Sequence, residues 1–125
     1  MKVLLYGSEW MLRKLESSLN SGGNNTALVS TYAAVAEMGH ADGFTLAVVD
    51  MMAPEATIVC GYLKKEWVVP VVVIMGFEHE QWRALDQIKV DGYISRTAGQ
   101  AEILARLKAV QRRSPNSELN GISGR

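Results

Sequence analysis

Short apolar runs alternate along this chain with stretches whose apolar residues recur every three or four positions. "KVLLY" (Lys2 to Tyr6) is the first run and predicts a strand; Ser8 then offers an N-cap to a helix with an apolar stripe of Met11, Leu12, Leu15 and Leu19. "NSGGNN" closes that helix in turn chemistry, "TALVS" (Thr26 to Ser30) predicts a second strand, and Thr31 caps a helix carrying Val35 and Met38 that Gly39 ends. "TLAVVD" (Thr45 to Asp50) predicts the third strand, and Ile58, Val59, Tyr62 and Leu63 mark the helix after the Pro54 loop. Pro70 opens "PVVVIM", the most β-branched run of the chain. "EHEQWRALDQI" predicts a fourth helix with Trp82, Leu85 and Ile88, "GYIS" a fifth strand, and "AEILARLKAVQRR" a fifth helix with Ile103, Leu104, Leu107 and Val110.

Five strand–helix units in strict alternation call for a parallel sheet with helices on both faces and right-handed crossovers. Runs apolar at every position fit strands buried on both sides. At this length the expected architecture is α/β, flavodoxin-like: five parallel strands in the order 2-1-3-4-5, five helices on both faces, and a switch point between the first and third strands. The loops past the carboxyl ends of those strands, "YGSEW" and "DMMAP", are where a ligand or reacting group is expected. Asp50 stands on that rim. From Ser114 onward "SPNSELNGISGR" is polar and rich in Ser, Gly and Asn, so residues 1–113 are expected to form the domain and 114–125 a flexible linker or tail.

Composition narrows the function classes. The chain has 125 residues, enough for one ordinary domain, and 13 basic residues balance 13 acidic ones, so overall charge gives no steering toward nucleic acid or an anionic membrane. Cys60 is the one cysteine, which excludes an internal disulfide and a thiolate metal cage. With no span-length apolar stretch and no signal-peptide layout, a cytoplasmic location and no membrane contact are expected. His40 and His79 have no second ligand at useful spacing, so no metal site is read from them. "GSEW" lacks the Gly-rich run of a phosphate-cradling loop, which argues against a flavin or nucleotide carrier. No nucleophile and base stand at plausible spacing, so the chain is read as not an enzyme.

Across residues 2–113 the sequence resembles receiver (CheY-like) domains of two-component response regulators, most of all those of the OmpR/PhoB class. Asp50 with Pro54 four residues on resembles the phospho-acceptor loop of that family, "VDGYIS" its fifth strand with Tyr93 as the switch aromatic, and "AEILARLKAVQRR" its last helix. The resemblance implies signal transduction, a sensor kinase as a possible partner, and transcription control through a winged-helix DNA-binding domain beyond this chain, DNA being contacted only there.

The departures from the pattern point to an atypical member. The resemblance implies a Mg²⁺ cage of an acidic pair plus the acceptor aspartate, yet the pair positions hold Gly7 and Ser8, with Glu9 one step beyond as a first-turn acid. Met75 replaces the phosphoryl-binding hydroxyl, with Gly76 after it; Arg96 replaces the lysine, and Thr97 the proline that follows. Asp50 alone is a poor Mg²⁺ cage, a thioether donates no hydrogen bond, and a guanidinium is not the compact ammonium it replaces. No cofactor and weak or absent Mg²⁺ binding are therefore expected, with Asp50 not phosphorylated but bonded to Arg96 or nearby backbone N–H groups. Restoring acidity with Gly7→Asp and Ser8→Asp is expected to improve Mg²⁺ binding if the cage is otherwise intact, and no improvement would mean that the loop geometry has drifted too. Met51, Met52 and Met75 either fill the gap of the lost polar site or line a small apolar pocket for a metabolite, the ligand-sensing alternative; a receiver still phosphorylated at Asp50 is the other.

Without phosphate, a homodimer through the fourth helix, fifth strand and fifth helix is expected. Asp91, Glu102, Arg106 and Lys108 match the charged positions that the resemblance places on such a face, while Trp82, Gln87 and Gly92 stand where charged partners are usual. An interfacial Trp contributes more than an exposed ion pair. Lys108, Arg112 and Arg113 also complement the last helix's C-terminus.

Overall fold

The structure, a computed structural model, describes residues 1–7, 10–38, 43–75 and 80–113, and of Met11, Glu80, Gln81 and Trp82 the backbone alone. Five strands, β1 (Lys2–Tyr6), β2 (Asn25–Val29), β3 (Leu46–Asp50), β4 (Val71–Ile74) and β5 (Gly92–Ile94), form one sheet in the order β2-β1-β3-β4-β5. Every pairing is parallel. The connecting helices are α1 (Trp10–Ser21), α2 (Tyr32–Glu37), α3 (Ala56–Tyr62), α4 (Glu80–Ile88) and α5 (Gln100–Arg113). This is the expected α/β, flavodoxin-like architecture.

Alternation along each strand divides the apolar residues between two layers. Leu4, Ala47, Val49, Val71 and Val73 point into a core closed by Val35 of α2, Val59 and Cys60 of α3 and Leu85 of α4. Val3, Leu5, Val48, Val72 and Ile94 point the other way, onto Leu12, Leu15 and Leu19 of α1 and Ile103, Leu107 and Val110 of α5. Burial on both faces is why these strands carry no polar alternation.

Two local expectations are corrected. β2 begins at Asn25 and ends at Val29, one residue earlier than its apolar run, because its register is set by β1, from Lys2 against Asn25 to Tyr6 against Val29. Ile58 is 54% exposed; the inward face of α3 is instead Ala56, Val59, Cys60 and Leu63, where small residues let the helix approach the sheet. α3 then continues as a π-helical turn (Leu63–Trp67), which swings the Trp67 indole onto the Phe44 ring, centroids 5.3 Å apart. Val68 ends that turn in the left-handed region, φ 54°. Thr31 caps α2 by accepting from the Ala34 N–H at 3.1 Å. The proposed cap at Ser8, the stop at Gly39 and the 114–125 tail lie outside the described residues.

Candidate functional site

β3 carries Asp50 to the carboxyl end of the sheet between β1 and β4, opposite Ile74, and leaves its side chain fully buried. It is the one buried charged or polar residue among those described. The chain turns directly after it: the Ala53 N–H donates to the Asp50 carbonyl at 3.0 Å, and the Met52 N–H to Oδ1 of the Asp50 carboxylate at 2.9 Å. Arg96 donates to the same Oδ1 through Nη2, closing a salt bridge whose guanidinium side is 16% exposed. Arg96 reaches it from the β5–α5 connection, a turn held by Ser95: its carbonyl accepts from the Ala98 N–H at 3.0 Å and its Oγ from the Thr97 N–H at 3.2 Å. Asp50 Oδ2 and Arg96 Nε have no hydrogen-bond partner among the described residues. They are complementary, so a small guanidinium rotation would make the pair bidentate.

Gly7 closes the site from β1. Its φ is +144°, and a Cβ there would stand 2.6 Å from Leu12 Cδ1 and 3.0 Å from Asp50 Cβ. The expectation for Gly7→Asp required an otherwise intact cage, and this geometry bears on that condition: a side chain there must displace Leu12 and press on Asp50, on a backbone L residues rarely adopt. Among the described residues no cluster of three or more His, Cys, Asp or Glu could hold a metal ion. Among the described residues a Mg²⁺ cage does not fit this donor set, in which Asp50 Oδ1 already accepts from the Met52 N–H and from the Arg96 cation. Ser8 and Glu9 lie outside the described residues.

The three methionines do not converge. Met52 is 53% exposed, whereas Met51 and Met75 belong to the core beneath α3 and α4, with Cys60 Sγ 4.0 Å from Met51 Sδ. The alternative of an apolar pocket lined by all three thioethers is therefore not formed; Met51 and Met75 are buried while Met52 turns outward. Burial pushes the Cys60 thiol up to about 12.

Tyr6, which sequence reasoning missed, donates its hydroxyl to the Pro54 carbonyl at 2.6 Å and straps the loop after Asp50 to β1. Burial raises its pKa, and the Glu55 carboxylate adds to the shift. The available signal was a phenol ending an otherwise aliphatic strand.

On the α4–β5–α5 side, Tyr93 is half-buried and donates to Asp86 of α4 at 3.4 Å; burial raises its pKa, with the Asp86 charge and hydrogen bond adding. Glu102, Arg106 and Lys108 are exposed along α5. Asp91 stands at the opposite end of the sheet from Asp50, where Oδ2 accepts from Lys64 Nζ at 2.9 Å and from the Val71 N–H at 2.8 Å. The Trp82 side chain lies outside the described residues, as do His40, Gly76 and His79.

No helix among the described residues is long and apolar enough to cross a membrane. No protein-family model matches the chain, and no curated protein matches it in sequence. Solved structures do match its fold. A response regulator receiver domain protein (CheY-like) from Methanospirillum hungatei JF-1 superposes with a TM-score of 0.81 at 16% identity, over 92% of this chain and 96% of that one. The BeF3-activated N-terminal receiver domain of Klebsiella pneumoniae RstA gives 0.73 at 18% identity, over 90% and 100%. A structure from Rhodopirellula baltica described as an adenylate cyclase gives 0.78 at 19% identity, over 98% and 96%. At these identities the likeness is one of fold: this chain has the CheY-like architecture on which receiver domains are built.

Proposed function

We propose that the chain is an atypical receiver domain of a response regulator: a non-enzymatic cytoplasmic module that passes its state to an output domain without phosphorylation at Asp50. The observation carrying this reading is the wholly buried Asp50 carboxylate held by Arg96 and the Met52 N–H, with Gly7 packed against it. Phosphoryl transfer depends on positioning and on neutralising developing charge, and among the described residues this rim offers one cation, already engaged. Its relay surface is a homodimer face on α4, β5 and α5, supported by the exposed Glu102, Arg106 and Lys108. Asp91, the fourth charged position of that face, is exposed and keeps Oδ1 for such a contact while its Oδ2 accepts from Lys64 and the Val71 N–H. The output is transcriptional, through a DNA-binding domain outside these 125 residues to which 114–125 would be the linker, by the resemblance to the OmpR/PhoB class.

Incubation with acetyl phosphate and Mg²⁺, followed by intact-mass measurement and sedimentation of the same sample, tests both parts. The expected result is unchanged mass and a dimer at micromolar concentration with or without the phosphodonor. A stoichiometric gain of one phosphoryl group, absent in Asp50→Asn, overturns the first part; a monomer throughout overturns the second. The second reading, a receiver still phosphorylated at Asp50 by a sensor kinase, draws on the unpartnered Oδ2 and predicts that gain.

A further inference from the structure

A cleft of about 550 Å³ opens between α1, β2 and the start of α2, reaching inward to Gly7. That volume falls in the range of small-molecule sites. α1 presents two faces: Leu12, Leu15 and Leu19 pack on the sheet, while Arg13 and Glu16, one turn apart, line the cleft. Arg13 has no ion-pair or hydrogen-bond partner among the described residues. Glu16 accepts only a 3.4 Å contact there, from the Thr26 hydroxyl, which also lies 3.1 Å from Asn20 Oδ1. Among the described residues, then, the Arg13 guanidinium has no partner and the Glu16 carboxylate a single long contact, and the two line one cavity without pairing with each other.

The floor is the open edge of the sheet. The Asn25 N–H donates to Met1 O and the Val29 carbonyl accepts from the Gly7 N–H, so the odd residues of β2 bond to β1. In a parallel ladder the even residues, Thr26, Leu28 and Ser30, then turn their N–H and C=O groups outward, along the wall of this cleft. Main-chain donors and acceptors of β2 therefore line the same cleft as the Arg13 cation and the Glu16 anion of α1, beside the apolar Leu28.

We infer that this cleft binds a small zwitterion of the α-amino-acid class, its carboxylate on Arg13, its ammonium on Glu16, and its polar remainder on the open edge of β2. Opposite charges a helical turn apart recognise a ligand carrying both signs, and neither charge alone satisfies both ends. This goes beyond the proposed receiver role by giving the domain an input other than phosphate.

The test is an amide NMR titration of the whole chain with the standard α-amino acids, with dialanine, and with acetate and methylammonium separately. A saturable shift of the Gly7, Leu28 and Ser30 amides is expected at millimolar concentration or below, with acetate or methylammonium at least about tenfold weaker. Dialanine binding in place of free amino acids identifies a peptide terminus as the source of the same chemistry. Arg13→Gln and Glu16→Gln, both on the outer face of α1, should each weaken binding about tenfold or more while the melting temperature stays unchanged. The inference is overturned if no amino acid and no dialanine shifts those amides, or if Arg13→Gln binds as tightly as the wild type. Neither result bears on Asp50, whose reading stands or falls on the mass measurement alone.

Discussion

Replacing Gly7 by alanine isolates the effect of a single carbon. The new Cβ would stand 2.6 Å from Leu12 Cδ1 and 3.0 Å from Asp50 Cβ, on a backbone with φ +144°. Holding an L residue in such a conformation costs about 1–3 kcal/mol, and forcing an extra methyl into a packed core about 1–3 kcal/mol more. Leu12 is fully buried and Asp50 is fixed by Arg96, so neither neighbour moves freely. The sum, about 2–6 kcal/mol, is a large fraction of the stability of an ordinary domain. Gly7→Asp should be less stable still, because it sets a second carboxylate against Asp50. Urea denaturation followed by circular dichroism measures both variants, with the slope of the transition checking that unfolding remains two-state. Gly7→Ala within about 0.5 kcal/mol of wild type would refute the reasoning. A stable Gly7→Asp that gained Mg²⁺ affinity would refute it more directly, since an acidic cage could then be rebuilt.

Arg96→Met leaves the Asp50 carboxylate buried without its cation and should destabilise by about 3–5 kcal/mol in chemical denaturation, with Asp50→Asn in the same chain recovering much of the loss; additive single effects would show that the two side chains are not coupled. Val68 holds φ 54° with 68% of its surface exposed, so Val68→Asn should raise stability by about 0.5–1 kcal/mol, and a loss would show that the left-handed residue is unstrained. Cys60 binds its proton more tightly folded than unfolded: its contribution is complete below pH 9.0 and is lost as pH rises toward about 12, at about 1.4 kcal/mol per unit. Denaturation of the wild type and Cys60→Ala across that window should therefore differ in slope, and parallel curves would refute the assignment.

What the sequence made legible follows from how local each determinant is. Strands buried on both faces read as unbroken apolar runs, and the one carboxylate ending such a run, Asp50, marked the rim. The inward face of α3 was misread because bulk was taken as the sign of burial; Ile58 is large and outside, whereas Ala56 and Cys60 are small and inside. Met52 was misplaced for a related reason, since the turn after β3 sends neighbouring side chains to opposite sides. The remaining determinants are pairings across long separations. Tyr6 meets Pro54, Lys64 meets Asp91, and Gly7 meets Asp50 only once β1 and β3 are in register, with Tyr6 opposite Val49. Periodicity within one element carries no information about the register between two. The sequence could show that Gly7 lacks a carboxylate, but not that the fold leaves no space for one.

The Asp50–Arg96 pair also constrains how such a domain could change state. A buried carboxylate whose cation comes from the chain itself is neutralised before any input arrives. An input that works by parting the two must supply about 3–5 kcal/mol of differential affinity, a factor of a hundred to several thousand between the two states. A ligand binding both states equally shifts nothing, however tightly it binds. An input acting elsewhere faces no such barrier if the pair stays closed throughout: contact at the α4–β5–α5 face, or occupancy of the cleft beside β2, need only favour one arrangement of the elements around a fixed centre. In the receiver role proposed above, Asp50 and Arg96 would then be the pivot of the domain and not its trigger. Arg96→Met should then lower stability while leaving ligand binding in the β2 cleft within a few fold of wild type.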